Sequence, residues 1–158
     1  MKRIFIVNPT AGRGKALNVS KIIENICKEE NINYVIHYTN GKEDATRLAQ
    51  QYINNPEEMI LYSVGGDGTL NEVANGLVKS NKILGIIPAG SGNDFVRTIE
   101  KTNQNVSKID IGLVNHKYFL NIASLGLDAE IADNVNLMKK KKIPINLIYE
   151  ASIVYTLF

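Results

Sequence analysis

Four short apolar runs, at residues 4–7, 34–38, 59–64 and 83–87, each end in a polar or glycine-bearing loop. After each of the first three loops, apolar residues recur at roughly helical spacing: Leu17, Ile22, Ile23, Ile26 and Cys27; then Ala45, Leu48, Ala49 and Tyr52; then the run 73–78. Compact apolar runs of this length suit strands of a parallel sheet buried on both faces, and amphipathic helices suit the crossovers between them. The alternation predicts an α/β fold, a parallel sheet with flanking helices. In such sheets ligands bind outside the carboxyl ends of the strands, so the four loops are expected to share one crevice.

The third loop concentrates the chemistry. Gly65-Gly66-Asp67-Gly68-Thr69-Leu70-Asn71-Glu72 sets three glycines and a carboxylate at a strand-to-helix corner. Without a Cβ the backbone can bring its amides close to a bulky anion, and the helix that follows aims its positive end at the same place. Asp and Gly are also common turn residues, so the tetrad alone fits a tight turn equally well.

Beyond Arg97 the pattern changes. The polar stretch Lys101-Thr102-Asn103-Gln104-Asn105 breaks the alternation and marks a boundary, giving an α/β domain over 1–103 and the start of a β-rich second domain over 104–158. There, β-like runs over 106–113 and 117–123 flank Val114-Asn115-His116, which reads as a hairpin turn. Residues 128–138 are ambiguous between helix and strand, four lysines follow at 139–142, and 145–158 runs apolar at helical spacing to the last residue. A chain that stops inside such a run is expected to be an incomplete start of that domain.

Composition narrows the partners. With 44% hydrophobic and 22% charged residues in 158, the chain is ordinary globular material, and a net charge of +2 is too small to argue for nucleic acid. The lone Cys27 builds neither a disulfide framework nor a thiolate metal site and reads as a packed thiol. The apolar run after Met1 is too short for a signal peptide, so the expectation is a cytoplasmic protein.

In order along the chain, Asn8-Pro9-Thr10-Ala11-Gly12, Thr39 after the second strand, the segment 65–72, Pro88-Ala89-Gly90-Ser91-Gly92-Asn93-Asp94-Phe95, Asp110-Ile111-Gly112 and Phe119-Leu120-Asn121 together resemble the diacylglycerol kinase catalytic domain family. That family includes bacterial lipid kinases and sphingosine and ceramide kinases. Ser91 departs from its usual threonine but keeps the hydroxyl.

The resemblance implies an NAD kinase/phosphofructokinase-like nucleotide domain and transfer of the γ-phosphate of ATP to a lipid hydroxyl, diacylglycerol first. It implies ATP contacts at Asn8, Pro9, Thr10, Ala11, Gly12, Thr39, Gly65, Gly66, Asp67, Gly68, Thr69, Leu70, Asn71 and Ser91. It further implies Mg²⁺ in a metal and water network at Asp67, Asp94 and Asp110, with Asp67 as catalytic carboxylate. By likeness to sphingosine kinases, Asp67 is alternatively the general base. Bacterial members carry a Gly-Asp-Gly-Glu-like motif, with the glutamate assigned as base, in a second half that has no counterpart here, so the 158 residues alone are expected to be inactive. A lipid substrate also implies peripheral contact with the inner membrane face.

Taken singly, these residues have plainer readings. Asp94 suits a charge at a helix start, Asp110 an exposed strand residue, and Thr39 and Ser91 loop hydroxyls bonding their own backbone. His37 and His116 have no partner cluster and read as packed or solvated. The lysines read as a solvated loop before a headgroup-binding patch, and the final apolar run as a core face before a membrane-facing cleft. Two other functions stay open: an NAD kinase, which shares the Gly-Gly-Asp-Gly-Thr corner, and a non-catalytic fragment that holds nucleotide or forms a homodimer through its uncovered strands.

Overall fold

A computed structural model of the chain describes residues 1–101, 108–121, 127–139 and 145–157. Strands β1 (Lys2–Val7), β2 (Tyr34–Tyr38), β3 (Met59–Gly65) and β4 (Ile83–Pro88) form one sheet in the order β2-β1-β3-β4, every neighbouring pair parallel. The central pair is in register from Lys2 opposite Met59 to Val7 opposite Val64. All four strands fall on the apolar runs of the sequence, each ending within a residue of the run's last member.

Alternation along β1 sends its side chains to opposite faces. Ile4 and Ile6 join Met59 and Leu61 of β3 in a core closed by α2 (Asp44–Gln50) and α3 (Asp67–Leu77). Phe5 and Val7 join Val64 in a second core beneath α1 (Lys15–Glu29), where Phe5 stacks on Tyr62 with ring centroids 4.9 Å apart. The helix after β1 and the helices after β2 and β3 thus cover opposite faces. The chain turns outward in both directions from between β1 and β3, the place where such sheets open a crevice at their carboxyl ends.

Two helices differ from their expected faces. On α1 the inward positions are Ala16, Ser20, Ile23 and Cys27, whereas Leu17, Ile22 and Ile26 are exposed. Small residues at 16 and 20 let the helix lie close to the sheet, and that approach selects the face. Cys27 is buried, and desolvation pushes its thiol pKa up. Helix α2 ends at Gln50, short of Tyr52, because the next amides donate three residues back (Tyr52 to Ala49, Ile53 to Gln50) and tighten the turn. Tyr52 instead bonds His37, with its Oη 2.6 Å from Nε2, so His37 is a packed histidine whose pKa is lowered by burial.

Helix α4 (Asp94–Lys101) follows β4. Past the undescribed residues 102–107 comes a hairpin of β5 (Gly112–Val114) and β6 (Lys117–Phe119), shorter than the runs expected over 106–113 and 117–123. Val114 pairs with Lys117 across a two-residue turn, in which Asn115 and His116 both take positive φ. Such turns match strand twist and leave Val114 in the ladder. Residues 108–111 are exposed irregular chain ahead of β5, so Asp110 is not a strand residue. Everything through Asn121 groups into one compact unit. In the second unit, the ambiguous residues 128–138 lie within α5 (Leu127–Lys139), which packs on α6 (Ile145–Leu157); Asn134 donates to Thr156 Oγ1 at 2.8 Å. Lys140, Lys141 and Lys142 lie outside the described residues.

Candidate functional site

Gly65 ends β3 and Gly66 precedes the first turn of α3, so the helix starts directly at Asp67 and takes in Gly68, Thr69, Leu70 and Asn71. No side chain caps this end. Leu70 is the first residue whose amide finds an intrahelical acceptor, Gly66 O at 3.0 Å; the amides of Asp67, Gly68 and Thr69 are the unsatisfied donors every helix start presents. An uncapped positive helix end at the tip of a central strand is a place where an anion binds favourably.

Two neighbouring loops clasp this corner. After β1, Asn8 O accepts from Ala11 N at 3.1 Å; its Nδ2 donates to Thr69 Oγ1 at 3.2 Å, and its Oδ1 accepts from Thr10 N at 3.2 Å and Thr10 Oγ1 at 2.9 Å. The loop then crosses above the end of β3. Gly12, at φ +58, lies so near Ala89 O that any Cβ would overlap it. After β4, the amides of Ala89 and Gly90 both donate to Gly65 O, at 2.8 and 3.0 Å. A Cβ on Gly66 would stand 3.2 Å from Gly90 Cα, and one on Gly90 would overlap Gly66 Cα. Asn93, itself at φ +59, encircles Gly90 by accepting from its amide at 3.0 Å and donating to its carbonyl at 2.9 Å. Glycine at 90 is therefore a requirement of backbone touching backbone, and at 66 a side chain would be tightly crowded.

The carboxylates of α3 bind its neighbours. Asp67 accepts from the amides of Asp94 (Oδ2, 3.1 Å) and Phe95 (Oδ1, 3.0 Å), so it caps α4 from across the crevice. Glu72 does the same for α2, accepting from Ala45 N at 3.2 Å, while Glu72 O accepts from Thr46 Oγ1 at 2.9 Å. Asp94 sits in the first turn of α4, exposed; the Cβ position of Gly92 lies 3.3 Å from Asp67 Oδ2 and 3.7 Å from Asp94 Oδ2, placing the two carboxylates on either side of one point.

Beside the corner, on the α2–α3 side, opens a cavity of about 760 Å³ reaching from Gly68 and Asn71 past Glu72 and Asn75 to Lys117. Its rim is bound by ion pairs. Glu43 meets Lys117 at 3.1 Å, which lowers its carboxyl pKa; Asp44 accepts from the Asn40 amide and pairs with Arg47, and both lower it likewise. Among the described residues, none of the lining side chains is a large apolar one.

Of the residues singled out in sequence, Asn8, Thr10, Gly12, Gly65, Gly66, Asp67, Gly68, Thr69 and Asn71 converge on the corner, with Pro9 and Ala11 completing the same loop. Thr39 is buried at the end of β2, its amide on Val7 O at 2.9 Å. Ser91 is exposed at the tip of the loop that holds Gly90, and Leu70 is a core residue of α3. Asp110 is exposed in the irregular chain ahead of β5, and among the described residues no three histidine, cysteine, aspartate or glutamate side chains gather closely enough to hold a metal. Residues given no site role from the sequence also shape the site: Asn93 and Phe95, both within the motif 88–95, the latter through its amide, and Asn75. An Asn-Asp pair just before a helical run was the only local signal for the first two.

No helix among the described residues is long and apolar enough to cross a membrane. The family model of the diacylglycerol kinase catalytic domain matches residues 2–118. The chain is 36% identical to the diacylglycerol kinase of Bacillus subtilis over 85% of its length and 49% of that protein's. It is 36% identical to the diacylglycerol kinase of Staphylococcus aureus over 77% of its length and 42% of that protein's. It thus spans about half the length of the curated relatives it matches, or somewhat less. The crystal structure of a diacylglycerol kinase from Bacillus anthracis superposes with a TM-score of 0.58 at 32% identity, covering 76% of this chain and 48% of the other. Strand order, corner and loops fall within the matched region, and the chain belongs to the diacylglycerol kinase catalytic domain family.

Proposed function

We propose that this chain supplies the nucleotide half of an ATP- and Mg²⁺-dependent lipid kinase that phosphorylates a lipid hydroxyl, that of diacylglycerol, at the inner face of the membrane. The observation that carries the reading is the corner: an uncapped helix end at the carboxyl edge of the sheet, enclosed by backbone that excludes a Cβ at Gly12 and Gly90 and crowds one at Gly66. Transfer of a phosphoryl group depends mostly on positioning and on charge placed around the phosphate oxygens.

In this reading the amides of Asp67, Gly68 and Thr69 receive phosphate oxygens, and the clasped loops at Asn8 and Gly90 keep those amides in place before ligand arrives. Bound Mg²⁺ neutralises charge on the phosphates. Asp67 and Asp94, hard oxygen donors at the starts of two separate helices, suit that ion, which takes one or two protein carboxylates and completes its shell with phosphate and water. Asp67 keeps lone pairs for this after accepting two amides, since a carboxylate offers about four acceptor sites. It thereby couples the position of α4 to whatever binds at the corner.

The experiment offers diacylglycerol and NAD in parallel to the complete protein with Mg-ATP. Labelled phosphate is expected on diacylglycerol. Label on NAD alone would contradict the reading.

A further inference from the structure

Asn75 lies on α3 two turns beyond the corner, and its carboxamide treats β6 as a sheet neighbour. Its Oδ1 accepts from Tyr118 N at 2.9 Å, its Nδ2 donates to Tyr118 O at 2.8 Å, and the same Nδ2 donates to Asn71 O at 2.8 Å. One side chain thus takes the place of a strand residue, satisfying both main-chain groups of Tyr118 as a ladder partner would, and so protects an edge of a hairpin that pairs with no further strand among the described residues. Hairpins of two strands are marginal alone, so this attachment governs where β5 and β6 sit.

The consequence appears at Lys117. Held beside Tyr118, it reaches Glu43 and forms the far wall of the 760 Å³ cavity whose near wall is Gly68 and Asn71 of the corner. The exposed ion pair is too weak to fix that wall by itself, since such pairs contribute little. The paired amide bonds are the stronger tie. The charged and amide side chains along it offer hydrogen-bond partners to the hydroxyls and ring nitrogens of a nucleoside, and the aliphatic stems of the long ones offer surface to its base.

We infer that Asn75 is a positioning residue that docks the β5–β6 hairpin as the wall of a nucleoside pocket adjoining the phosphate corner. This rests on the corner holding ATP, as proposed above. It assigns ATP affinity to a residue that touches neither phosphate nor metal.

The test compares the complete protein with Asn75→Leu, which keeps bulk and loses every bond, and with Asn75→Asp, which keeps the acceptor for Tyr118 N and loses both donors. Exchange of the Tyr118 amide and the steady-state constants for Mg-ATP are measured together. Asn75→Leu should speed Tyr118 exchange and raise KM for ATP about tenfold, the scale of one to two lost hydrogen bonds, with kcat within about twofold and the lipid KM unchanged. Asn75→Asp should fall between, and it carries the comparison if the leucine variant does not fold. Faster Tyr118 exchange with an unchanged ATP KM would overturn the inference while leaving the kinase reading intact. A wild-type protein that binds no ATP would overturn both.

Discussion

At the residue scale, Asp67 has a double character. It is the carboxylate that the signature presents in sequence, and it is also the cap of α4 through the amides of Asp94 and Phe95. The two roles separate by substitution. Asp67→Ala removes both acceptors and should cost about 1–2 kcal/mol, the usual loss for a helix cap, whereas Asp67→Asn keeps an acceptor and should cost less than about 1 kcal/mol. Both should lower turnover by at least about a hundredfold if the charge acts at the transferring phosphoryl group. Urea denaturation and a lipid phosphorylation assay on the same preparations would check this; retained turnover in Asp67→Asn would make the carboxylate only a cap. His37 offers a second check, through pH. Burial lowers its folded pKa below the ordinary 6.5, so the fold favours the neutral ring. Its contribution to stability is complete above about pH 6.5 and is lost as pH falls from there toward the folded value. Thermal melts from about pH 7.5 to 5.5 should show a falling midpoint, and His37→Gln should flatten that fall.

At the element scale, all four strands of the sheet were legible because parallel strands are short, apolar and bounded by glycine or polar loops. Helix α1 was legible as an element but not by its face: Leu17, Ile22 and Ile26 outrank Ala16 and Ser20 in hydrophobicity, yet closeness to the sheet decides which side is buried. The hairpin was legible only at its turn. Its strand lengths follow from docking on Asn75, 43 residues distant in sequence from Tyr118, and no local pattern carries that information. The same holds for the capping of α4 by Asp67, made across 27 residues. The corner itself was readable, since glycines where backbones touch leave a mark that long-range pairings do not. The turn gives a prediction. His116 holds φ +64, a conformation that glycine adopts without strain, so His116→Gly should stabilise the hairpin by about 0.5–1 kcal/mol, read as slower exchange of its cross-strand amides. Faster exchange would mean that the imidazole, not the turn, holds this segment.

At the scale of the molecule, the chain holds one compact unit through Asn121 and a second made of α5 and α6, where Leu137, Leu147, Val154 and Tyr155 are exposed. Apolar side chains left open in this number favour association. The 158-residue chain is expected to sediment as a concentration-dependent oligomer, and a monodisperse monomer over a wide concentration range would show that those side chains need no partner. In the first unit, the carboxyl edge of the sheet and the uncapped start of α3 are proposed to form the phosphate end of an ATP site. Gly68 tests it most directly, because a Cβ there meets nothing within 4 Å and the residue lies in the first helical turn, where a glutamate suits both helix propensity and dipole. Gly68→Glu should therefore leave stability unchanged or raise it by up to about 1 kcal/mol while placing a negative charge where phosphate binds. Isothermal titration of Mg-ATP should give saturable one-to-one binding to the wild-type protein and at least about tenfold weaker binding to Gly68→Glu. Equal affinity in the two proteins would contradict the account.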